Sequence, residues 1–145
     1  MTRGDKDGEV MSPRAAEPVG PYPHARRTGN LLFLSGIGPR TRGSAEIPGV
    51  TRDASGAVLS HDIEVQCRSA FRNVRTVLED AGSSWDRIVD VTVYLTDMKD
   101  FAVYNRIYAE HFTGVRPART TVEVSRLPTD IAIELKVIAT IKPGS

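Results

Sequence analysis

The sequence predicts an α+β fold in which a mixed β-sheet carries two helices on one face. The main observation is the order of the periodic segments, which runs strand, strand, helix, strand, helix, strand, strand. The chain has 145 residues, a length that suits a single domain. Hydrophobic residues make up 40% and charged residues 26% of the chain, as in an ordinary globular protein.

The composition also excludes several classes of function. A net charge of +1 gives no electrostatic support for binding nucleic acid or an anionic membrane. No segment has the length and apolar character of a signal peptide or a membrane span. The single cysteine, Cys67, allows no intramolecular disulfide, which fits a reducing compartment, so we expect a cytoplasmic protein. Residues 1–19 are charged and rich in Pro and Gly; we predict an N-terminal tail there and one domain over 20–145.

The N-terminal half of the predicted domain contains two strands and a long loop. Leu31 to Ser35 (LLFLS) is a short apolar run typical of a buried strand. Tyr22 to Thr28 is its predicted partner, with Gly29-Asn30 as the turn. Residues 40–60 are rich in Gly, Arg, Ser and Pro and predict a long loop, in which residues 54–56 are compatible with a short hairpin.

Two segments have helical periodicity. The first runs from Asp62 to Ala81, with acidic residues at its start and Gly82 as its stop. The second begins after Asp100, the predicted N-cap, and ends at Gly114. In each segment, apolar side chains recur at steps of three and four and form one stripe. The stripes are Ile63, Cys67, Ala70, Phe71, Val74, Val77, Leu78 and Ala81, and Phe101, Tyr104, Ile107, Tyr108 and Phe112.

Three further strands are predicted, at Val89 to Leu95, Thr120 to Val124 and Ile131 to Ile141. Two helices cover only one face of such a sheet. The residues expected on the other face are not strongly polar: Ala132, Ile138, and Val122 or Thr121. We therefore expect this face to be covered by other subunits.

Common catalytic motifs are absent from the sequence. No GxSxG, Walker or GxGxxG motif lies between a strand and a helix. The three histidines, at positions 24, 61 and 111, have no ligand spacing, so we expect no metal site. Cys67 lies on the helix stripe and is interpreted as a core residue.

Two charged residues lie in predicted strands. Glu134 has two open interpretations: an ion pair with Lys136 or Arg119 (or an exposed edge position), or a general acid/base with a tuned pKa. Arg119 is either a surface residue or a guanidinium that binds a substrate carboxylate. The simplest interpretations of Tyr22, Ser35 and Asn105 are a packing aromatic, a strand end and a solvent-facing helix residue.

Four segments together resemble the reactive-intermediate deaminase (Rid) family, also called the YjgF family. They are GPYPHA (20–25), LLFLSG (31–36), DFAVYNRIYAEHF (100–112) and RPARTTVEVSRLPTDIAIELKVIA (116–139). The resemblance extends from about Gly20 to Ile141. It implies a chorismate-mutase-like fold, a homotrimer with active sites between subunits, and hydrolysis of small-molecule enamines and imines to ketones and ammonia, without metal or organic cofactor.

The resemblance also implies roles for individual residues. Arg119 would bind the substrate carboxylate, and Glu134 would activate water and transfer protons. Thr121 stands where many members of the family have Cys, and Ile37 and His24 stand where Gln is common. The cleft would be lined by Tyr22, Ser35, Asn105 and Thr121.

A Pro-His pair, basic residues after the SG turn and the Arg-Thr-Thr-Val strand resemble 2-aminomuconate deaminases, which act in the catabolism of tryptophan and other aromatics. The expected reaction converts 2-aminomuconate to 4-oxalocrotonate (2-oxohex-3-enedioate) and ammonia. This substrate has two carboxylates, and His24, Arg40 and Arg42 are candidates to bind the second. Alternatively, Arg40 and Arg42 belong to a solvated loop. A general 2-aminoacrylate-type imine deaminase and a non-enzymatic trimeric ligand-binding protein are the other functions considered.

Overall fold

The computed structural model describes residues 3–5 and 7–144. Two short 3-10 turns, Trp85–Arg87 and Met98–Asp100, accompany the strands and helices. In chain order, the elements are β1 (Arg3–Asp5), β2 (Glu9–Met11), β3 (Ala25–Thr28), β4 (Leu31–Leu34), β5 (Val50–Arg52), β6 (Val58–His61), α1 (Ile63–Asp80), β7 (Ile88–Leu95), α2 (Phe101–His111), β8 (Ala118–Glu123) and β9 (Ile133–Thr140).

Within the described residues, seven strands form one sheet in the order β1-β2-β3-β4-β9-β7-β8. The sheet is mixed, because β7 runs parallel to β8 and antiparallel to β9. Alternate residues of β7 and β9 are fully buried and pack with the apolar stripes of α1 and α2 in one core. The predicted α+β fold, with two helices on one face of a mixed sheet, is confirmed.

Helix α1 begins and ends within one residue of its predicted limits. The Asp62 side chain accepts a hydrogen bond from the Val65 amide and caps the helix. At the other end, Gly82 has a positive φ of 84° and the Ser83 amide donates to the Leu78 carbonyl, as in a Schellman motif. Cys67 is fully buried in the core, as predicted.

The predicted cap of α2 is wrong in one respect. Asp100 occupies the N-cap position, but its side chain makes no capping hydrogen bond. The chain enters α2 through the turn Met98–Asp100, where Asp97 accepts a hydrogen bond from the Lys99 amide. Asp97 therefore caps the turn that leads into the helix.

The predicted start of the strand that precedes β4 differs from the structure. β3 starts at Ala25 and not at Tyr22, since Pro23 has no amide proton to donate to a strand partner. The long loop over 40–60 contains the β5–β6 hairpin, in which the Asp53 carboxylate accepts hydrogen bonds from the amides of Ser55 and Ala57. This hairpin agrees with the turn residues noted at 54–56.

The stretch predicted as an N-terminal tail contributes to the sheet. β2 pairs with β3, and β1 pairs with β2 at the edge. Val10 is buried between exposed Glu9 and Met11, which is the alternation of a strand with one covered face.

The second face of the sheet carries no described helix. By strand alternation, Thr92, Tyr94, Val122, Glu134, Lys136 and Ile138 lie on this helix-free face. The predicted positions of Ile138 and Val122 agree with the structure. Ala132 instead belongs to the buried core, and Thr121 lies on the helix face, where its hydroxyl is 2.6 Å from the Tyr104 hydroxyl. No helix among the described residues is long and apolar enough to cross a membrane.

Candidate active site

Glu134 lies in an open depression on the helix-free side of the sheet. The depression is formed by β9, by the loop that follows β4, and by the loop that precedes β9. Gln66 of α1 holds the second loop in place, because its side-chain carbonyl accepts a hydrogen bond of 2.7 Å from the Ala132 amide. Residues lining the depression include Tyr22, Gly36, Arg40, Thr129, Ile131 and Glu134.

Burial raises the pKa of the Glu134 carboxyl, and the positive charge of Arg40 opposes this effect only in part. No cation among the described residues forms an ion pair with Glu134. The ion pairs considered for it are not observed: Lys136 donates to the Leu34 carbonyl, and Arg119 donates to Asn105. A half-buried carboxyl without a charged partner is a common property of functional acids and bases.

Two neighbours of Glu134 were missed in the sequence. Gly36 lies directly against the Glu134 carboxyl group, and a Cβ atom at this position would be 2.8 Å from Glu134 Cδ. The Thr129 hydroxyl is buried in the wall of the same depression and has no hydrogen-bond partner among the described residues. No sequence pattern indicated a functional role for Thr129, which follows a proline in a loop.

Arg119 lies in a second depression, between α2 and the start of β8. Its Nη1 donates a hydrogen bond of 2.8 Å to Asn105 Oδ1. The guanidinium carbon lies 4.6 Å from the ring centre of Tyr108 and 5.2 Å from that of Tyr104. These aromatic rings support the flat guanidinium, while its remaining N–H groups stay available to a carboxylate. The hydroxyl of Tyr108 is buried and forms no hydrogen bond with the described part of the chain, and burial raises its pKa to about 12.

Glu134 and Arg119 do not meet within one chain. Arg119 pairs with Val91, whose side chain is buried under the helices. Glu134 pairs with Tyr94, on the helix-free face. The two residues that the family resemblance assigns to one reaction therefore lie on opposite faces of the sheet.

The three candidates for binding a second carboxylate all contact the N-terminal segment. Arg42 donates to the carbonyl of Ala15 (2.8 Å), and Arg40 donates to that of Glu17 (2.6 Å). His24 Nε2 is 2.8 Å from the carbonyl of Ala16, and its Nδ1 accepts a hydrogen bond from the Ser12 amide. Since both ring nitrogens of His24 are engaged, neither is left for a substrate. Of the three side chains, only Arg40 lines the Glu134 depression.

Among the remaining candidates, Tyr22 lines the Glu134 depression and Asn105 lines the Arg119 depression, whereas Ser35 and Thr121 line neither. The Tyr22 side chain is 39% exposed and lies in the Glu134 depression, where its hydroxyl accepts a hydrogen bond from the Val19 amide. Ser35 donates its hydroxyl to the Pro23 carbonyl at 2.7 Å. Asn105 and Thr121 are on the Arg119 side. Among residues 3–5 and 7–144, no group of three or more His, Cys, Asp or Glu side chains is arranged to hold a metal ion.

Comparison with known proteins identifies the family. The family model described as endoribonuclease L-PSP matches residues 12–141. The chain belongs to this family. It is also known as the YjgF/Rid family, so the resemblance found in the sequence is confirmed. The match includes residues 12–19, which precede the predicted domain boundary.

Curated relatives of this Rid-family chain occur in organisms as different as Pyrococcus horikoshii and Arabidopsis thaliana. A RutC family protein of Pyrococcus horikoshii is 41% identical over 133 residues, which cover 90% of this chain and 94% of the relative. The chloroplastic protein named Reactive Intermediate Deaminase A from Arabidopsis thaliana is 33% identical over 132 residues, which cover 91% of this chain and 65% of the relative.

Solved structures share the fold. The YjgF gene product of E. coli has a TM-score of 0.77 at 31% identity, with 92% of this chain and 98% of that chain covered. The crystal structure of E. coli TdcF with bound serine has a TM-score of 0.75 at 32% identity, with 89% and 94% covered.

Proposed function

We propose that this Rid-family protein is a hydrolytic deaminase that acts on enamines and imines bearing a carboxylate. The observation that carries the proposal is Glu134, a half-buried carboxyl in an open depression, with a raised pKa and no ion pair to any described residue. A carboxyl whose pKa is raised by burial can both take up and release protons during a reaction. The relative named Reactive Intermediate Deaminase A supports the same reaction class.

The chemistry requires few groups. The enamine is protonated on carbon and becomes an imine; water adds to the C=N carbon, and ammonia leaves as the ketone forms. Glu134 takes a proton from the attacking water and returns one to the leaving nitrogen. Arg119 binds the carboxylate through its forked N–H groups and orients the substrate.

We further propose that the active site forms between subunits of a homotrimer, with Glu134 from one chain and Arg119 from the next. This arrangement would bring together two residues that lie on opposite faces of a single sheet. It would also cover the helix-free face, which includes exposed Val122 and half-buried Ile138.

Mixing two inactive variants tests the shared site. Glu134→Gln and Arg119→Ala should each be inactive alone. When they are refolded together at equal amounts, about one quarter of the sites should combine an intact Glu134 with an intact Arg119. Activity should therefore return to about that fraction of the wild-type value. If the site lay within one chain, mixing the variants would restore no activity. Sedimentation of the protein should show a mass of three chains.

The finer proposal for the substrate is 2-aminomuconate, a dicarboxylate. Arg40 supports it, because this residue places a second positive charge in the Glu134 depression. Freshly generated 2-aminomuconate should release ammonia faster with the protein than without it, and Arg40→Gln should reduce this acceleration. If only 2-aminoacrylate is deaminated faster, and Arg40→Gln leaves that rate unchanged, the protein is a general imine deaminase.

The alternative from another class is a non-enzymatic ligand-binding protein. The E. coli TdcF structure with bound serine supports the binding of an amino acid by a similar protein. Under this alternative, no enamine is deaminated faster than in buffer, while carboxylates still bind. We also propose a cytoplasmic location, because a single cysteine fits a reducing compartment. We propose no role in binding nucleic acid, because the net charge is only +1. An RNA incubated with the same samples should stay intact.

A further inference from the structure

Three consecutive main-chain carbonyls near the N-terminus are each bonded to a different side chain. The carbonyls are those of residues 15, 16 and 17, and their partners are Arg42, His24 and Arg40. The tautomer of His24 follows from its partners. The Ser12 amide can only donate and the Ala16 carbonyl can only accept, so Nδ1 carries the lone pair and Nε2 the proton.

The same segment is anchored to helix α1 at its other end. The Ser12 hydroxyl donates to Asp80 Oδ2 at 2.7 Å, and Arg14 binds the same carboxylate through both Nε and Nη2. Ser12 is 2% exposed and Ala15 is 3% exposed, so the segment is packed down as well as bonded. We call residues 12–19 the strap.

The strap is connected to the Glu134 depression through the side chain of Arg40. This side chain is long and flexible, and a free arginine would sample many rotamers. Here its Nη2 is held by the Glu17 carbonyl, and its main-chain carbonyl accepts a hydrogen bond from Asn73 of α1. The guanidinium is thereby kept in the depression, where its charge opposes the effect of burial on Glu134.

We propose that the strap positions Arg40 beside Glu134, and that His24 and Arg42 act as positioning residues by holding the strap. Of the three side chains that the sequence suggested as ligands of a second carboxylate, Arg40 faces the substrate. His24 and Arg42 instead hold the strap, which fixes the position of Arg40. The inference rests on the proposed function for its effect on substrates, but the geometry can be tested separately.

The first test uses Arg42→Ala at one end of the strap and Asp80→Asn at the other. Both variants should loosen the strap and let Arg40 move away from Glu134. The pKa of Glu134, followed by NMR titration of its carboxyl carbon, should then rise above the wild-type value. Arg42→Lys should restore the wild-type titration, since an ammonium can also donate to the Ala15 carbonyl.

The matched control is Arg87→Ala, which also removes an arginine bonded to a main-chain carbonyl, that of Ile141, but at a distance from the strap. It should leave the titration unchanged. Cleavage by trypsin after Arg14 gives a second measurement. In the wild type, the peptide bond after Arg14 is protected, because the Arg14 side chain is paired with Asp80 and Ala15 is buried. Cleavage should become faster in both strap variants and stay slow in the control.

Kinetics then connect the strap to the reaction. With a dicarboxylate enamine, Arg42→Ala should raise KM about tenfold with little change in kcat, because a positioned charge–carboxylate contact is weakened. With a monocarboxylate enamine, KM should stay near the wild-type value. If the Glu134 titration and the trypsin rate match the wild type in both strap variants, the inference is wrong. If they change but the wild type deaminates nothing, the strap stands and the proposed function fails.

Discussion

Replacing Gly36 with alanine should slow the reaction about 100-fold without unfolding the protein. The new Cβ would lie 2.8 Å from Glu134 Cδ, whereas non-bonded carbon atoms pack at about 3.5–4.0 Å. The Glu134 carboxyl must therefore move by about 1 Å, and a displacement of that size at a reacting group costs on the order of 100-fold in rate. We expect kcat to fall by about this factor.

The stability of the variant should change little. Gly36 is not among the glycines with positive φ, so alanine fits its backbone and restricts the unfolded chain, a gain of about 0.4–1 kcal/mol. A displaced Glu134 rotamer would cost about 0.5–1.5 kcal/mol, so the two effects nearly cancel. Gly114→Ala is the matched control, because its Cβ would meet nothing within 4 Å.

The assay is ammonia release from a carboxylate-bearing enamine, with urea unfolding measured on the same samples. Gly114→Ala should keep wild-type rates and Gly36→Ala should not. A folded Gly36→Ala variant with full activity would refute the reasoning, since Glu134 would then work from a displaced position or have no part in the reaction.

Further predictions concern Glu134, Cys67 and Arg119. Because the folded state raises the pKa of Glu134, this group stabilises the fold below its usual pKa and loses that contribution as pH rises. The stability of Glu134→Gln relative to wild type should therefore increase from pH 4 to pH 8 in urea melts, and a constant difference would contradict this. Burial raises the pKa of the Cys67 thiol to about 12, so a thiol reagent at pH 8 should react only as the protein unfolds; rapid reaction of the native state would count against it. Arg119→Lys should lower kcat/KM by about 10–100-fold through loss of the forked contact, while Asn105→Ala should cost only about fivefold; equal losses would show that Asn105 does more than hold the guanidinium.

Helix α1 illustrates what the sequence predicts well. Its signals are local: an apolar stripe, a capping Asp62 and a terminating Gly82, and each acts within a few residues of itself. The start of β3 and the strand at residues 9–11 were harder to predict. Strand limits depend on pairing with distant segments, and a short alternating run next to glycine has no local signal strong enough to identify it.

The strap shows a different limit. The sequence suggested three ligands for a second carboxylate, because they lie close to the SG turn and carry groups that bind carboxylates: His24, Arg40 and Arg42. Their observed partners are main-chain carbonyls. Every residue has such a carbonyl, so no pattern of residue types could indicate which ones these side chains bind.

The separation of Glu134 from Arg119 has a consequence for the proposed reaction. An arginine paired with Glu134 in the free protein would stabilise the carboxylate and lower its pKa, which would weaken it as a proton carrier. Within one chain, Glu134 and Arg119 lie on opposite faces, so the pKa of Glu134 is raised by burial and opposed only in part by Arg40. In the proposed intersubunit site, Arg119 of a neighbouring chain would arrive opposite a substrate carboxylate that neutralises its charge. The substrate would then lie between Glu134 and Arg119 and separate the two catalytic charges.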